Sequence, residues 1–93
     1  MRIISNKALQ DFAYLHPQAN LPLQEWRRKI HIPTINSYAE LKKLFNSVDK
    51  VSHYYVFNIA GNHYRLIAAI HFNTQTLYIR SVMTHKEYDQ WKP

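Results

Sequence analysis

No cysteine occurs among the 93 residues, which excludes disulfide scaffolds, thiolate nucleophiles, zinc ribbons and iron–sulfur clusters. Gly61 is the sole glycine. Phosphate-cradling P-loops and dinucleotide fingerprints need several, so both are excluded. Acidic residues are also scarce: Asp11, Glu25, Glu40, Asp49, Glu87 and Asp89. Most fall in or beside expected helical turns, where a solvated face accounts for them. Paired-carboxylate catalysis is disfavoured on that ground, and serine hydrolysis by the lack of a G-x-S-x-G elbow. No apolar run approaches the roughly 18 residues of a membrane span. The stretch Met1 to Lys7 lacks the apolar core of a secretory signal. The expectation is a small soluble cytoplasmic domain without membrane association or cofactor.

What is present is hydrophobic and basic. Hydrophobic residues make up 46% and aromatics 14% of the chain, enough for a folded globule. A single domain over residues 1–93 is expected, because a chain of this length buries only about 60–65% of its unfolded surface. Twelve Lys and Arg against six Asp and Glu leave a net charge of +6, with six histidines besides. That balance suits an anionic partner, nucleic acid first and an acidic protein second.

Helical periods fill the first half. Ala8, Leu9, Phe12 and Ala13 recur at helical spacing over 6–16, with Ser5 or Asn6 placed to cap and Pro17 to close. Pro22, Leu23, Trp26 and Ile30 continue a second helix to about His31. Ser37-Tyr38-Ala39-Glu40 is a capping box opening a third over 38–46. From Ser52 the period becomes that of strands. Tyr54–Ile59, Tyr64–Phe72 and Leu77–Met83 are separated by Ala60-Gly61-Asn62 and Asn73-Thr74-Gln75, which predicts an antiparallel meander. Thr84-His85-Lys86-Glu87 is a second capping box leading into Tyr88 and Trp91. The predicted class is α+β: a small antiparallel sheet with N-terminal helices on one face and a short C-terminal helix.

Strand alternation sorts the side chains. Tyr64, Leu66, Ala68, Ile70 and Phe72 form an apolar face for the helices, which sends Arg65, Ile67, Ala69 and His71 to the other side. In the third strand the expected sharing is Leu77, Ile79, Ser81 and Met83 against Tyr78, Arg80 and Val82. Arg65 and Arg80 would then emerge together near Tyr78 and His71, a candidate phosphate platform. A lone arginine there more often covers apolar surface with its stem while its head reaches water. Metal binding finds little support. The histidines at 16, 31, 53, 63, 71 and 85 form no H-x-H or H-x-x-x-H pair. His63 and His71 would lie roughly 26 Å apart along a strand. His85, just past Thr84, could display a proton donor or phosphate ligand, since an ordinary imidazole titrates near pH 6.5. On spacing alone the reading of His85 as an ordinary exposed cap histidine wins. Tyr54, Tyr55, Tyr64, Tyr78 and Trp91 offer stacking surfaces for single-stranded RNA, although most suit a core or half-core position.

Two segments carry a resemblance. Tyr55 to Ala68 contains F-N-x-x-G-N-x-Y-R-L, and Tyr78 to Asp89 contains I-R-x-V-x-T-H-x-E-Y-D. Together with Ile3 to Leu9 and Tyr38 to Asp49, they closely resemble the HigB toxins, within the RelE-like ribonucleases of toxin–antitoxin systems. The resemblance implies a RelE-like fold and metal-independent cleavage of mRNA in the ribosomal A site. It implies as partner a HigA-type helix-turn-helix antitoxin, in a heterotetrameric complex. In such chemistry a ribose 2′-hydroxyl attacks the adjacent phosphate, which calls for a base, an acid and cations around the phosphorane. By resemblance Arg65 would stabilise phosphate charge, His85 would act as general acid, and Tyr88 would complete the catalytic set. Arg80, Lys86, Asn58, His71 and Trp91 would contact RNA. Where RelE itself displays lysines, Val56 and Asn58 stand here, and Asn58 cannot act as a base at neutral pH. His53, His63 and His71 remain alternatives for that role. A non-catalytic RNA- or ribosome-binding module fits the charge equally well.

Overall fold

The molecule passes from its helices to the main run of strands at Asp49, three residues before the change of period at Ser52. The computed structural model describes all residues, Met1–Pro93. A short β1 (Arg2–Ile4) precedes α1 (Asn6–Leu15), a 3-10 turn at Pro17–Ala19, α2 (Asn20–His31) and α3 (Tyr38–Leu44). Then come β2 (Asp49–Val51), β3 (Tyr54–Ile59), β4 (Tyr64–His71), a 3-10 turn at Phe72–Thr74, β5 (Thr76–Thr84) and α4 (His85–Asp89). The α+β class and the placement of all four helices agree with the sequence reading. No helix is long and apolar enough to cross a membrane.

The expected meander is β3-β4-β5, and it forms the middle of a larger sheet ordered β1-β5-β4-β3-β2. The sheet is mixed rather than antiparallel, because β1 runs parallel to β5 with Ile3 opposite Leu77. The long helical excursion between these two strands supplies the crossover that a parallel pair requires. The other addition, β2, is a three-residue strand on β3. It is too short for any period to announce it.

Helix starts follow the expected chemistry unevenly. Ser37 Oγ accepts from the Glu40 amide at 3.2 Å, but Glu40 Oε1 reaches the Asn36 amide, so only half of that box forms. Ser5 occupies the N-cap of α1 in a left-handed conformation with no side-chain cap bond. Pro17 does more than close α1, because its fixed φ also opens the following 3-10 turn. That turn lets α2 begin at Asn20, two residues ahead of Pro22.

Tyr55, Phe57 and Ile59 of β3, Leu66 and Ala68 of β4, and Leu77 and Ile79 of β5 face the helices and join one buried cluster. Leu9 of α1, Leu23, Trp26 and Ile30 of α2, and Leu41 of α3 belong to the same cluster. Edge-on rings lock the centre, with Phe57 5.4 Å from Trp26 and 5.2 Å from Phe45. Each fully buried side chain of the cluster, Phe57 among them, contributes roughly 1.5–3 kcal/mol. Gln75 ties the sheet to the α2–α3 connection, accepting from the Ile35 amide at 3.1 Å and donating to the Ile35 carbonyl at 2.6 Å.

One irregularity overturns the expected faces of β5. Ala68 opposes Ile79 while Ile67 opposes Ser81, leaving Arg80 as an extra residue. A bulge of this kind reverses the alternation beyond it. Leu77 and Ile79 still point at the helices, but Ser81 and Met83 turn to the other side and Val82 packs against the core. Without the bulge, Val82 would face outward and Ser81 would lie beneath the helices. Arg80 stays exposed at the bulge.

Candidate active site

The sheet face opposite the helices presents Asn58 from β3, Arg65, Ile67 and His71 from β4, and Tyr78, Arg80, Ser81 and Met83 around the bulge of β5. It is not bare. Val56 and Ile67 on this side are 3% and 1% exposed, so a second small apolar patch lies beneath the C-terminal segment.

Arg65 is the pivot, and its position corrects the expectation that it emerges into solvent: it is 8% exposed. A buried guanidinium is tolerated only when its donors are satisfied. Nη1 donates to the carbonyls of Asn62 at 3.2 Å and Tyr64 at 3.1 Å. Nη2 donates to Asn62 Oδ1 and to His85 Nδ1, the latter at 3.1 Å. Tyr88 covers the group, its ring centre 5.4 Å from the guanidinium carbon.

His85 is consequently a defined species. A guanidinium carries only donors, so Nδ1 must accept and the ring proton resides on Nε2. Nε2 faces outward with Asp89 Oδ2 3.9 Å away, and the side chain is 48% exposed. The ring is aimed by its backbone. The His85 amide donates to the His63 carbonyl at 2.9 Å, tying the start of α4 to the β3–β4 turn. Thr84 Oγ1 accepts from the Glu87 amide at 3.1 Å, and Glu87 Oε1 accepts from the Thr84 amide at 2.8 Å. These bonds from Thr84, backbone first and side chain second, hold the Glu87 carboxyl below its usual range. The sequence box at Thr84–Glu87 is thus complete, and it sets the helix that carries His85 and Tyr88.

An aromatic shelf continues from Tyr88. Trp91 stacks on it with centroids 5.6 Å apart and planes 20° from parallel, and Tyr54 of β3 meets the Trp91 ring edge-on at 5.9 Å. Trp91 lies just past α4, its amide bonded to the Tyr88 carbonyl at 3.0 Å. Asn58 stands directly across from Arg65 on the neighbouring strand and is exposed, as is Lys86 on α4.

The remaining expected residues form a separate group. Arg80 lies over the Tyr78 ring at 5.6 Å, and that ring meets His71 edge-on at 5.4 Å. His71 is at the far end of β4, six residues and about 20 Å from Arg65. Arg80, the unpaired bulge residue beside the Ile67–Ser81 pair, is roughly 7–10 Å from Arg65 along the strand direction. None of His53, His63 and His71 hydrogen-bonds to the Arg65–His85 pair through its side chain. No group of three His, Asp or Glu side chains converges anywhere in the chain. The largest hollow, about 310 Å³, lies between α2 and the β3–β4 turn and meets this face only at Asn58.

The sequence reading missed Asn62 as part of the site, and it named Tyr54 only as one of five aromatic stacking surfaces. Asn62 follows glycine in a turn, a position that asparagine fills for backbone reasons alone. Nothing in its spacing announces the guanidinium clamp.

Comparison with known proteins gives a consistent result. A family model described as HigB_toxin, RelE-like toxic component of a toxin-antitoxin system, matches residues 19–91. The chain is similar to "mRNA interferase toxin HigB" of Escherichia coli strain K12, 40% identical over 92 residues, covering 96% of this chain and 88% of that protein. A Shigella flexneri "mRNA interferase HigB" matches with the same identity and coverage. A third relative, "mRNA interferase HigB" of Escherichia coli O6:H1 (strain CFT073), is 28% identical over 93 residues, covering 97% of this chain and 90% of its own length.

Proposed function

This chain belongs to the HigB family of RelE-like toxins, and we propose on that premise that it is an mRNA interferase, a ribosome-dependent endoribonuclease that needs no metal. Its family brings an antitoxin partner, and its relatives' names bring an RNA target. The finer reading is a HigA-type helix-turn-helix antitoxin in a heterotetramer, with cleavage in the ribosomal A site in the cytoplasm. Residues 1–93 act as one toxin domain.

The observation that carries the residue-level reading is the Arg65–His85 hydrogen bond at the edge of a face bearing Arg80, Lys86 and the aromatic shelf. In the reaction the 2′-oxygen bonds to phosphorus as its proton passes to a base. The bond from phosphorus to the 5′-oxygen then breaks, and that oxygen takes a proton. The products are a 2′,3′-cyclic phosphate and a 5′-hydroxyl. A phosphate oxygen that replaces His85 Nδ1 as acceptor for Arg65 Nη2 has two effects. Arg65 stabilises the developing charge, an effect worth on the order of 10²–10³-fold. Nδ1 becomes free to bind a proton, and the resulting imidazolium donates from Nε2 to the departing 5′-oxygen. Tyr88 packs on the guanidinium and completes the catalytic set. Trp91, with Tyr54 beside it, stacks on a base. Asn58, Arg80 and Lys86 hold the message, and His71 contacts it farther along the face.

Primer extension on a defined mRNA, with and without translating ribosomes, tests this reading. Ribosome-dependent cuts that disappear in both Arg65→Ala and His85→Ala are the expected result. Intact message with translation nonetheless blocked would replace the enzyme by a non-catalytic ribosome-binding module.

A further inference from the structure

Two of the four hydrogen bonds that hold the Arg65 guanidinium come from Asn62. Its carbonyl accepts from Nη1 at 3.2 Å and its side-chain Oδ1 accepts from Nη2, the same nitrogen that donates to His85. We infer that Asn62 is a positioning residue which, through Arg65, fixes the tautomer and the aim of His85. The inference rests on the reading of the Arg65–His85 pair as the reactive centre.

The turn is built for this contact. Ala60 and Gly61 adopt φ of 55° and 67°, both left-handed. Two such residues in succession turn the chain sharply, and Asn62 follows them only three positions ahead of Arg65. The same turn holds His85 a second time, because the His63 carbonyl accepts its amide at 2.9 Å. The histidine is therefore fixed at its backbone by one turn residue and at its ring by another, with Arg65 as the link.

A purely structural role predicts something different. Asn62 is exposed as a residue, so truncating it opens no cavity and water can take up the vacated hydrogen bond. What changes is orientation. With Oδ1 gone, one proton of Nη2 has no fixed protein acceptor, and the carbonyls of Asn62 and Tyr64 hold only the Nη1 side of the fork, so the aim of Nη2 at Nδ1 loosens. Released from Arg65, the His85 ring distributes its proton between Nδ1 and Nε2.

The tautomer is directly readable. Two-dimensional ¹⁵N–¹H spectroscopy on the full-length toxin, ¹⁵N-labelled in histidine and assigned by the signal lost in His85→Gln, distinguishes Nδ1-H from Nε2-H. In wild type the neutral ring is expected as Nε2-H. Asn62→Leu is expected as a mixture, with kcat for message cleavage lowered on the order of 10–100-fold and KM within about 3-fold. Asn62→Asp keeps an acceptor oxygen in the same place, so the Nε2-H form and most of the turnover should persist.

A wild-type His85 protonated at Nδ1 overturns the inference without any variant. A folded Asn62→Leu protein with an unchanged His85 spectrum overturns it as well. A folded Asn62→Asp protein that loses the Nε2-H form does the same, and it decides the matter even where the leucine variant fails to fold. Absence of cleavage by wild type defeats the functional reading alone, because the spectra do not depend on turnover.

Discussion

Arg65 Nη2 and His85 Nδ1 lie 3.1 Å apart across 20 positions of sequence, and this contact joins a buried arginine to an exposed histidine as one unit. A family signature read along the chain separates them into a strand arginine and a helix-start histidine. In three dimensions each defines the other: the guanidinium leaves His85 a single tautomer, and His85 supplies one of its four fixed acceptors. The four contacts use both the charge and the planar fork of residue 65.

Arg65→Lys separates charge from fork. An ammonium retains the charge but cannot reach four acceptors arranged around a planar fork. Cleavage is expected to fall on the order of 10²–10³-fold, close to the loss in Arg65→Ala. Both variants leave the Asn62 and Tyr64 carbonyls short of a donor, which costs about 1–3 kcal/mol in urea unfolding. Near-normal cleavage by Arg65→Lys would show that charge alone suffices.

The capping box makes α4 acid-sensitive in a predictable direction. Folding lowers the Glu87 carboxyl below its ordinary value of 4.5 through the Thr84 bonds. A depressed carboxyl contributes stability that is fully present above the unfolded value and is lost as pH falls through the folded one. Glu87→Gln keeps an acceptor for the Thr84 amide without the titration. The difference in Tm between wild type and Glu87→Gln should thus be constant near neutrality and change only below about pH 4.5. Glu87→Ala removes half the box at any pH, at a cost of about 0.5–2 kcal/mol. It should lower cleavage as well, because α4 aims His85 and Tyr88. A Tm difference that moves between pH 6 and 8 would point to another group.

The contrast between Glu87 and Asn62 explains what was legible in the sequence. Capping boxes, apolar periods and turn residues act over three or four positions, so α1 to α4 and β3 to β5 could be read directly. β1 beside β5 could not be, since that pairing depends on where the intervening helices deliver the chain. The bulge at Arg80 also left no trace, because Ser81, Val82 and Met83 fit either phase of alternation. Arg65 and Arg80 do share a face, as strand alternation suggested, but Arg65 does not reach water. Its acceptors are two backbone carbonyls, an asparagine in a turn and a histidine 20 residues on. Only the folded turn brings those together.

Trp91 and Tyr54, the outer part of the aromatic shelf, should act on binding rather than turnover. Stacking a base on an aromatic ring is worth about 1–3 kcal/mol. Trp91→Ala is therefore expected to raise KM for message about 5- to 150-fold with kcat at saturation nearly unchanged. Trp91→Phe should restore most of the affinity. A kcat effect larger than the KM effect would instead assign Trp91 to holding Tyr88 against Arg65.

Arg80 and Lys86 should act through charge alone, because both are exposed and neither is fixed by a carboxylate. For single-stranded RNA, each phosphate contact contributes about 0.7 to the slope of log K against log salt. Arg80→Ala and Lys86→Ala are each expected to flatten that slope by about 0.7 for a short RNA and to weaken binding evenly across sequences. Lys7→Ala removes the same charge from α1, on the helix-covered side, where Lys7 pairs with Asp11 at 3.4 Å. Its slope should match wild type. If all three variants flatten the slope equally, binding reflects net charge and the sheet face has no special part in it. If only the first two do, the message lies along the bulged strand between the aromatic shelf and Tyr78.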